Sequence, residues 1–339
     1  KQAKNLIKKK IGLPLCGLKT TAFTKIEILS RDKKFKSKII NIKKIKNLRA
    51  DIKKITQQDI KNITSKRKKI GKSFNLNYPL IMGILNLTPD SFSDGGLYNN
   101  KTKSFLHIQK MIKSGADIID VGGESTRPGS KGVNVKEEWN RLNKILKSIC
   151  NKIPVSLDTR KSEIMEKGIK LGVKIINDVS GLNFDFNTKH ILKKYKTPFV
   201  IQHSKGTPEN MQNNPVYKNE LLDIYDFFEK KINFLRSIGV KHNNIIIDPG
   251  IGFGKNLKHN MNLINKISIF HTLGFPVLVG ISRKKFIKEL SEKNDTNYRT
   301  GGTLASSLYL MMQGVQVLRI HEVNEVMQGI KVFSELIKR

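Results

Sequence analysis

The chain has 339 residues, with 63 Lys+Arg against 28 Asp+Glu, a net charge of +35 and two cysteines. That length holds one large α/β domain with an appendage, or two domains. No apolar run approaches the roughly 18 residues of a membrane span, and no secretory leader is expected. Cys16 and Cys150 are too few and too far apart for a disulfide framework or a metal knuckle, which fits a reducing cytosol.

The charge is uneven. Residues 1–78 hold 24 Lys+Arg against 4 Asp+Glu, a net +20 of the +35. Lys far outnumbers Arg, so the surplus reads mainly as a solvated surface, with attraction of anionic substrates or nonspecific nucleic-acid contact as the alternative. In this segment Thr24–Leu29 and Ser37–Ile42 read as short strands and Leu48–Ile63 as a polar helix. It is expected to be a small basic extension without a catalytic constellation, and residues 79–339 a separate barrel.

From Pro79 the pattern becomes regular. Short apolar strands are expected at 79–87, 116–122, 153–158, 173–179, 198–203, 244–248, 275–281 and 315–321. Amphipathic helices are expected at 102–114, 136–150, 162–171, 188–195, 217–237, 259–272, 298–313 and 324–337. Gly115, Gly172, Gly239, Gly274 and Gly314 stand where a helix C-cap glycine is expected. Eight strand-then-helix units fit an α/β fold of the (β/α)8 TIM-barrel type; a doubly wound sheet is the alternative.

In such a barrel chemistry sits at the carboxyl ends of the strands. Here those ends carry Asn86, Asp120 with Glu124, Asp158, Asn177 with Asp178, His203, Asp248, Ser282–Lys284, and Arg319 with His321. The first strand runs into Thr88-Pro-Asp-Ser-Phe-Ser-Asp-Gly-Gly96, a loop too long for a bland connection. The second runs into Gly122-Gly-Glu-Ser-Thr-Arg-Pro-Gly129, which reads as a lid presenting Thr126 and Arg127, or as a plain Gly/Pro connection. Asp248-Pro-Gly-Ile-Gly-Phe-Gly-Lys255 lets the backbone approach a ligand closely. It is not a nucleotide P-loop. Arg319 and His321, two apart on one strand, share a face.

By chemistry, Asp158, Asn177, Asp248 and Lys284 can read a flat heterocycle with alternating donors and acceptors. Asn86, Arg319 and His321 suit an anion with a metal ion. His203 reads equally as a satisfied structural histidine or as a ligand.

These motifs resemble the dihydropteroate synthase family of pterin-binding TIM barrels. The resemblance rests on Met82–Gly96, Gly122–Gly129, Ser156–Arg160, Ile176–Val179, His203–Met211, Asp248–Lys255, Gly280–Lys284 and Arg319–His321, in the family's order. It implies condensation of 6-hydroxymethyl-7,8-dihydropterin diphosphate with 4-aminobenzoate to give 7,8-dihydropteroate and diphosphate. It implies a pterin site of Asp158, Asn177, Asp248 and Lys284. A diphosphate site of Asn86, Arg127, Arg319 and His321 follows, with Mg2+ on Asn86, and an aminobenzoate pocket of Thr126, Pro128, Phe253, Ser282 and Lys285. Asp158, Asp248, Lys284, Arg319 and His321 are the expected catalytic set. A cytoplasmic homodimer with small-molecule substrates and no specific nucleic-acid or membrane partner is also implied.

Two departures stand out: Gln202 and Ser204 flank His203 where many relatives have Met, and Lys285 replaces a frequent Ser. A folate-dependent methyltransferase domain would share the pterin residues without the diphosphate set. A basic nucleic-acid-binding protein is the non-enzyme alternative.

Overall fold

In the computed structural model of the chain, the described residues are 2–32, 34, 36–67, 69–76, 79–88, 101–126, 129–207, 209–292 and 295–338. Strands and helices alternate from residue 80 onward. The order is β1 (Leu80–Asn86), α1 (Lys101–Lys113), β2 (Ile118–Gly122), α2 (Val135–Ile149), β3 (Val155–Asp158), α3 (Ser162–Lys170), β4 (Ile175–Asp178), α4 (Thr188–Tyr195), β5 (Phe199–Gln202), α5 (Glu220–Ser237), β6 (Ile245–Asp248), α6 (Leu257–Asn265), β7 (Leu278–Gly280), α7 (Thr300–Met312), β8 (Val317–Ile320) and α8 (Val323–Lys338). The eight strands form one parallel sheet in the order β6-β5-β4-β3-β2-β1-β8-β7. A parallel bridge between Ile247 and Val277 closes the circle. This is the expected (β/α)8 barrel.

Local chemistry explains the punctuation. The five glycines expected as C-caps all take positive φ, from 83° at Gly314 to 104° at Gly115, a region costly for residues with a Cβ. The helix expected at 259–272 breaks in two. It stops at Asn265 and resumes as a 3-10 helix over Ile267–Leu273. A short helix, Lys285–Ser291, follows β7 before α7.

The strand register sorts the barrel interior into layers. Paired residues share a face, and the pairs run Ile175 with Ser156, Asn177 with Asp158, Gln202 with Asp248, and Gly280 with Arg319. The inner face therefore carries an apolar floor of Met82, Ile118, Ile175, Val200, Ile246, Leu278 and Val317. Two positions further along, where the period-two alternation returns to the same face, stand Asp120, Asp158, Asn177, Gln202, Asp248 and Arg319. The outer faces pack under the helices in a second cluster of aliphatic residues and phenylalanines.

The amino-terminal segment contains the expected strands, Lys25–Ile28 and Lys38–Asn41, paired antiparallel. The polar helix runs over Ala50–Thr64. The sequence pattern did not reveal a hairpin of Lys69–Ile70 with Phe74–Asn75. Its Ile70 and Phe74, with Leu76, are buried and join the barrel floor cluster. Gly71 N–H donates to the Asn243 carbonyl at 2.7 Å, and Asn243 Nδ2 donates to the Gly71 carbonyl at 3.0 Å. Residues 69–76 thus pack as part of the barrel although they fall before residue 79. The rest of the segment lies along the 3-10 helix and α5. Asn62 Nδ2 donates to the Thr272 carbonyl at 2.6 Å, and Arg31 pairs with Asp226.

Candidate active site

The polar layer meets at the carboxyl end of the barrel around Arg319. Its Nε donates to Asp120 Oδ2 at 2.6 Å and its Nη2 to Asp158 Oδ2 at 2.7 Å. Asn177 Nδ2 donates to the same Asp120 oxygen at 3.2 Å. The carboxylates and the amide are all buried. Burial pushes the Asp158 carboxyl above its usual range; Arg319 opposes this, and Asp120, Glu138 and Asp178 add to it. An ion pair this buried is held by its geometry, and removing one partner typically costs about 3–5 kcal/mol. Asp120 Oδ1 and Asn177 Oδ1 are buried without a hydrogen-bond partner. Unsatisfied buried acceptors are rare and costly, and two of them in one mouth call for donors from outside the chain, water or a ligand.

Across the mouth, Asp248 Oδ1 accepts from Gly250 N–H at 2.8 Å. Burial pushes its carboxyl up to about 6, against that N–H and the charge of Lys284. Burial pushes the Lys284 ammonium down to about 8, with Arg319 acting in the same direction and Asp248 and Asp158 against it. Lys284 Nζ stands 4.1 Å from the centroid of the Phe253 ring, within cation–π range. Phe253 is therefore buried beneath an ammonium group, in the loop that the sequence assigned to an apolar ligand ring.

The glycine-rich loop is fixed from below. Gly250, Gly252 and Gly254 have φ of 67°, 82° and 62°. A Cβ on Gly250 would meet the His203 carbonyl oxygen at 2.0 Å. Lys255 is buried beneath the loop and donates to the Gly250 carbonyl at 2.9 Å and the Phe253 carbonyl at 2.8 Å. Its Nζ lies 3.0 Å from His203 Nδ1. His203 is thus a structural tie and not a free ligand. Burial, and then the Lys255 charge, hold its imidazole well below its usual pKa.

At the far rim, Ser282 Oγ donates to Glu322 Oε2 at 2.6 Å and lies 2.8 Å from His321 Nδ1. The hydroxyl expected in the aminobenzoate pocket is committed to these two groups. The Lys285 side chain is 74% exposed and pairs with Glu289 at 3.0 Å. Its ammonium sits outside the cluster. Thr126 is half-buried, and Arg127 and Pro128 lie outside the described residues. Asn86 ends β1, with its Oδ1 3.6 Å from where a Cβ on Gly122 would stand.

Sequence reasoning noted Asp120 only as a strand-end group, yet it anchors Arg319 and Asn177. It missed Lys255 and Glu322 as well. Glu124 forms a separate buried network with Arg160 and Lys161, and Lys161 reaches on to Glu138. Asp178 turns away into its own loop, accepting from Ser180 and Leu182 N–H.

The arrangement offers carboxylates and orphan acceptors to donors, and two half-buried cations, Lys284 and Arg319, to acceptors or anions. The pterin binding enzyme family model matches residues 82–321. The chain is 38% identical over 265 residues to the dihydropteroate synthase of Neisseria meningitidis serogroup C, covering 77% of this chain and 94% of that one. The Yersinia pestis dihydropteroate synthase in complex with a sulfonamide drug superposes with a TM-score of 0.76 at 35% identity, covering 80% of this chain and 99% of that one. The Xanthomonas albilineans dihydropteroate synthase with 4-aminobenzoic acid gives 0.72 at 33% identity, covering 78% and 94%.

Proposed function

The chain belongs to the dihydropteroate synthases among the pterin-binding enzymes, and on that premise we propose how its residues share the work. The reaction it catalyses is the condensation of 6-hydroxymethyl-7,8-dihydropterin diphosphate with 4-aminobenzoate. We assign the pterin to Asp158, Asn177, Asp248 and Lys284. The observation that carries this is the pair of orphan acceptors, Asp120 Oδ1 and Asn177 Oδ1, in the same buried mouth as Asp248. A guanidine-like edge supplies the donors these groups lack, and Lys284 faces the ring's acceptors. On this assignment Asp120 joins the pterin set.

Asn86, Arg127, Arg319 and His321 are assigned to the diphosphate. Arg319 directs two of its five N–H groups at carboxylates, which leaves the others to face an anion. Among the described residues no group of three or more His, Cys, Asp or Glu could hold a metal ion. A Mg2+ held through the single amide oxygen of Asn86 would therefore take its other ligands from substrate phosphates and water. Asn86 would hold it, and when bound it would neutralise charge on the leaving diphosphate.

The pterin methylene–oxygen bond breaks and its electron pair leaves with the diphosphate, stabilised by Arg319 and His321. Asp158 stabilises the electron-poor methylene, and the neutral aniline nitrogen attacks it and releases its proton to water. Thr126, Pro128 and Phe253 are assigned to the aminobenzoate. Ser282 and Lys285 contribute there through their backbone, since both side chains are engaged elsewhere.

A homodimer is proposed through α7 and α8. Tyr309 on α7 and Val332 and Leu336 on α8 are exposed apolar groups, and the helices pack so closely that a Cβ on Gly329 would meet Leu304 at 2.3 Å. Light scattering at micromolar concentration tests it, and a monomer rules it out. No helix among the described residues is long and apolar enough to cross a membrane; a cytoplasmic location is proposed from the cysteine usage. The deciding assay is diphosphate release, which should require both substrates. Release with the pterin substrate alone would leave a hydrolase.

A further inference from the structure

His321 is held by more than its place on the rim. Ser282 Oγ accepts from the His321 backbone N–H at 3.1 Å, lies 2.8 Å from His321 Nδ1, and is 2.6 Å from Glu322 Oε2. The other carboxylate oxygen of Glu322 accepts from Arg283 Nε. Glu322 is buried. Arg283 is itself fixed, with φ of +58°, its N–H directed at Thr303 Oγ1 (3.3 Å) and its carbonyl accepting from Arg299 Nη1 at 2.9 Å.

A serine hydroxyl has one proton to give. A carboxylate paired with a guanidinium can only accept, so the Ser282 proton points at Glu322. What Ser282 offers His321 Nδ1 is then a lone pair. Nδ1 must carry a proton, and Nε2 is the nitrogen whose proton is exchangeable. We propose that Glu322 is a positioning residue that acts through Ser282 to hold His321 as its Nδ1–H tautomer, so that the imidazole takes up a proton at Nε2 when the diphosphate arrives. This rests on the assignment of His321 to the diphosphate.

Glu322 supports an imidazolium at His321 with the Ser282 hydroxyl between them. A neutral Nδ1–H imidazole turns a lone pair towards an anion, which is repulsive. A protonated one donates a charge-assisted hydrogen bond from Nε2, and its positive charge is stabilised through the Ser282 hydroxyl by the Glu322 carboxylate. The cleft next to His321, about 510 Å3, is also lined by Lys103, His107 and Lys110 of α1, Arg283 of the loop after β7, and Glu322 and Glu325 beside and on α8. The cations on this list disfavour a protonated His321 in the absence of an anion. The two glutamates favour it.

Glu322→Gln tests this. Its single acceptor oxygen is claimed by the charged Arg283, which leaves its NH2 facing Ser282. The Ser282 proton then turns to His321 Nδ1, and the neutral tautomer becomes Nε2–H. Nitrogen-15 NMR of histidine-labelled protein, assigned with His321→Gln, reads the tautomer directly. Expected is Nδ1–H in the parent and Nε2–H in the variant; the same tautomer in both overturns the proposal.

Calorimetry of diphosphate with Mg2+ in buffers of different ionisation enthalpy should show proton uptake in the parent and less in the variant. Affinity should fall about tenfold, the gap between a charged and a neutral hydrogen bond. A tautomer switch with no proton uptake in either protein would remove His321 from the diphosphate site and overturn that assignment, while the link from Glu322 to His321 stood. If Glu322→Gln does not fold, Ser282→Ala keeps the Glu322–Arg283 pair and removes the relay. It should yield mixed tautomers, and a pure Nδ1–H form would overturn the proposal.

Discussion

Lys255 places its ammonium 3.0 Å from His203 Nδ1 and so ties the glycine-rich loop after β6 to the end of β5. The same nitrogen donates to the Gly250 and Phe253 carbonyls, which sets the loop whose Gly250 N–H holds Asp248. Lys255→Met keeps the stem but strands three acceptors. We expect a loss of about 2–4 kcal/mol in urea unfolding and weaker pterin binding.

The sign with pH follows from burial, which pushes Lys255 down to about 7. Between that value and the unfolded pKa of about 10.4 the unfolded chain binds more protons, so stability rises with pH. Part of this rise should vanish in Lys255→Met. An unchanged slope would mean that the ammonium is not buried as described.

Asp248→Asn nearly preserves volume and removes the charge opposite the proposed guanidine-like edge. Turnover should fall by roughly 2–4 kcal/mol in transition-state terms. Activity within twofold of the parent would exclude the assignment.

Pterin binding should also follow pH through Asp248 and Lys284, with Asp158, likewise raised by burial, adding to the acid side. Asp248 must be ionised and is pushed up to about 6, so binding weakens as pH falls below that value. Lys284 must be charged and is pushed down to about 8, so binding weakens as pH rises past it. A bell between the two is expected by calorimetry. Asp248→Asn should weaken the acid limb, to which Asp158 still contributes, and loss of the alkaline limb instead would reverse the roles of Asp248 and Lys284.

The barrel was legible because its signals are local and repeated. Each strand is a short buried run, and each of five helices ends at a glycine that takes positive φ. The inner polar layer was legible too, since Asp158, Asn177, Asp248 and Arg319 each stand at a strand's carboxyl end. Partnership was not. Arg319 lies 199 positions from Asp120, and no spacing rule reveals that its guanidinium crosses to that carboxylate. Ser282 and Lys285 show the same limit: both occupy motif positions, yet their side chains serve Glu322 and Glu289. The hairpin at 69–76 escaped because strands of two residues carry no measurable period. Its lysines and glycine resemble the extension before it.

That hairpin bears on where the chain can be cut. The sequence places the division at 78/79 and expects the barrel to survive deletion of residues 1–76. Ile70, Phe74 and Leu76 are nonetheless buried against the inner floor of β1, β2, β4 to β8. Removing large core side chains costs about 2–5 kcal/mol each, and three together rival the roughly 5–15 kcal/mol that holds a domain folded. Deletion of 1–76 is therefore expected to abolish cooperative unfolding and activity. Deletion of 1–64 spares the hairpin and Arg67, whose Nη2 donates to the His271 carbonyl. It exposes the 3-10 helix at 267–273 but removes no residue assigned to the site, so the protein should fold with reduced stability and release diphosphate at a rate near the parent's. Phe74→Ala in the full chain separates floor packing from loss of the extension, with an expected cost of about 3–5 kcal/mol. Full activity and stability after deletion of 1–76 would show that the hairpin is dispensable and return the division to residue 79.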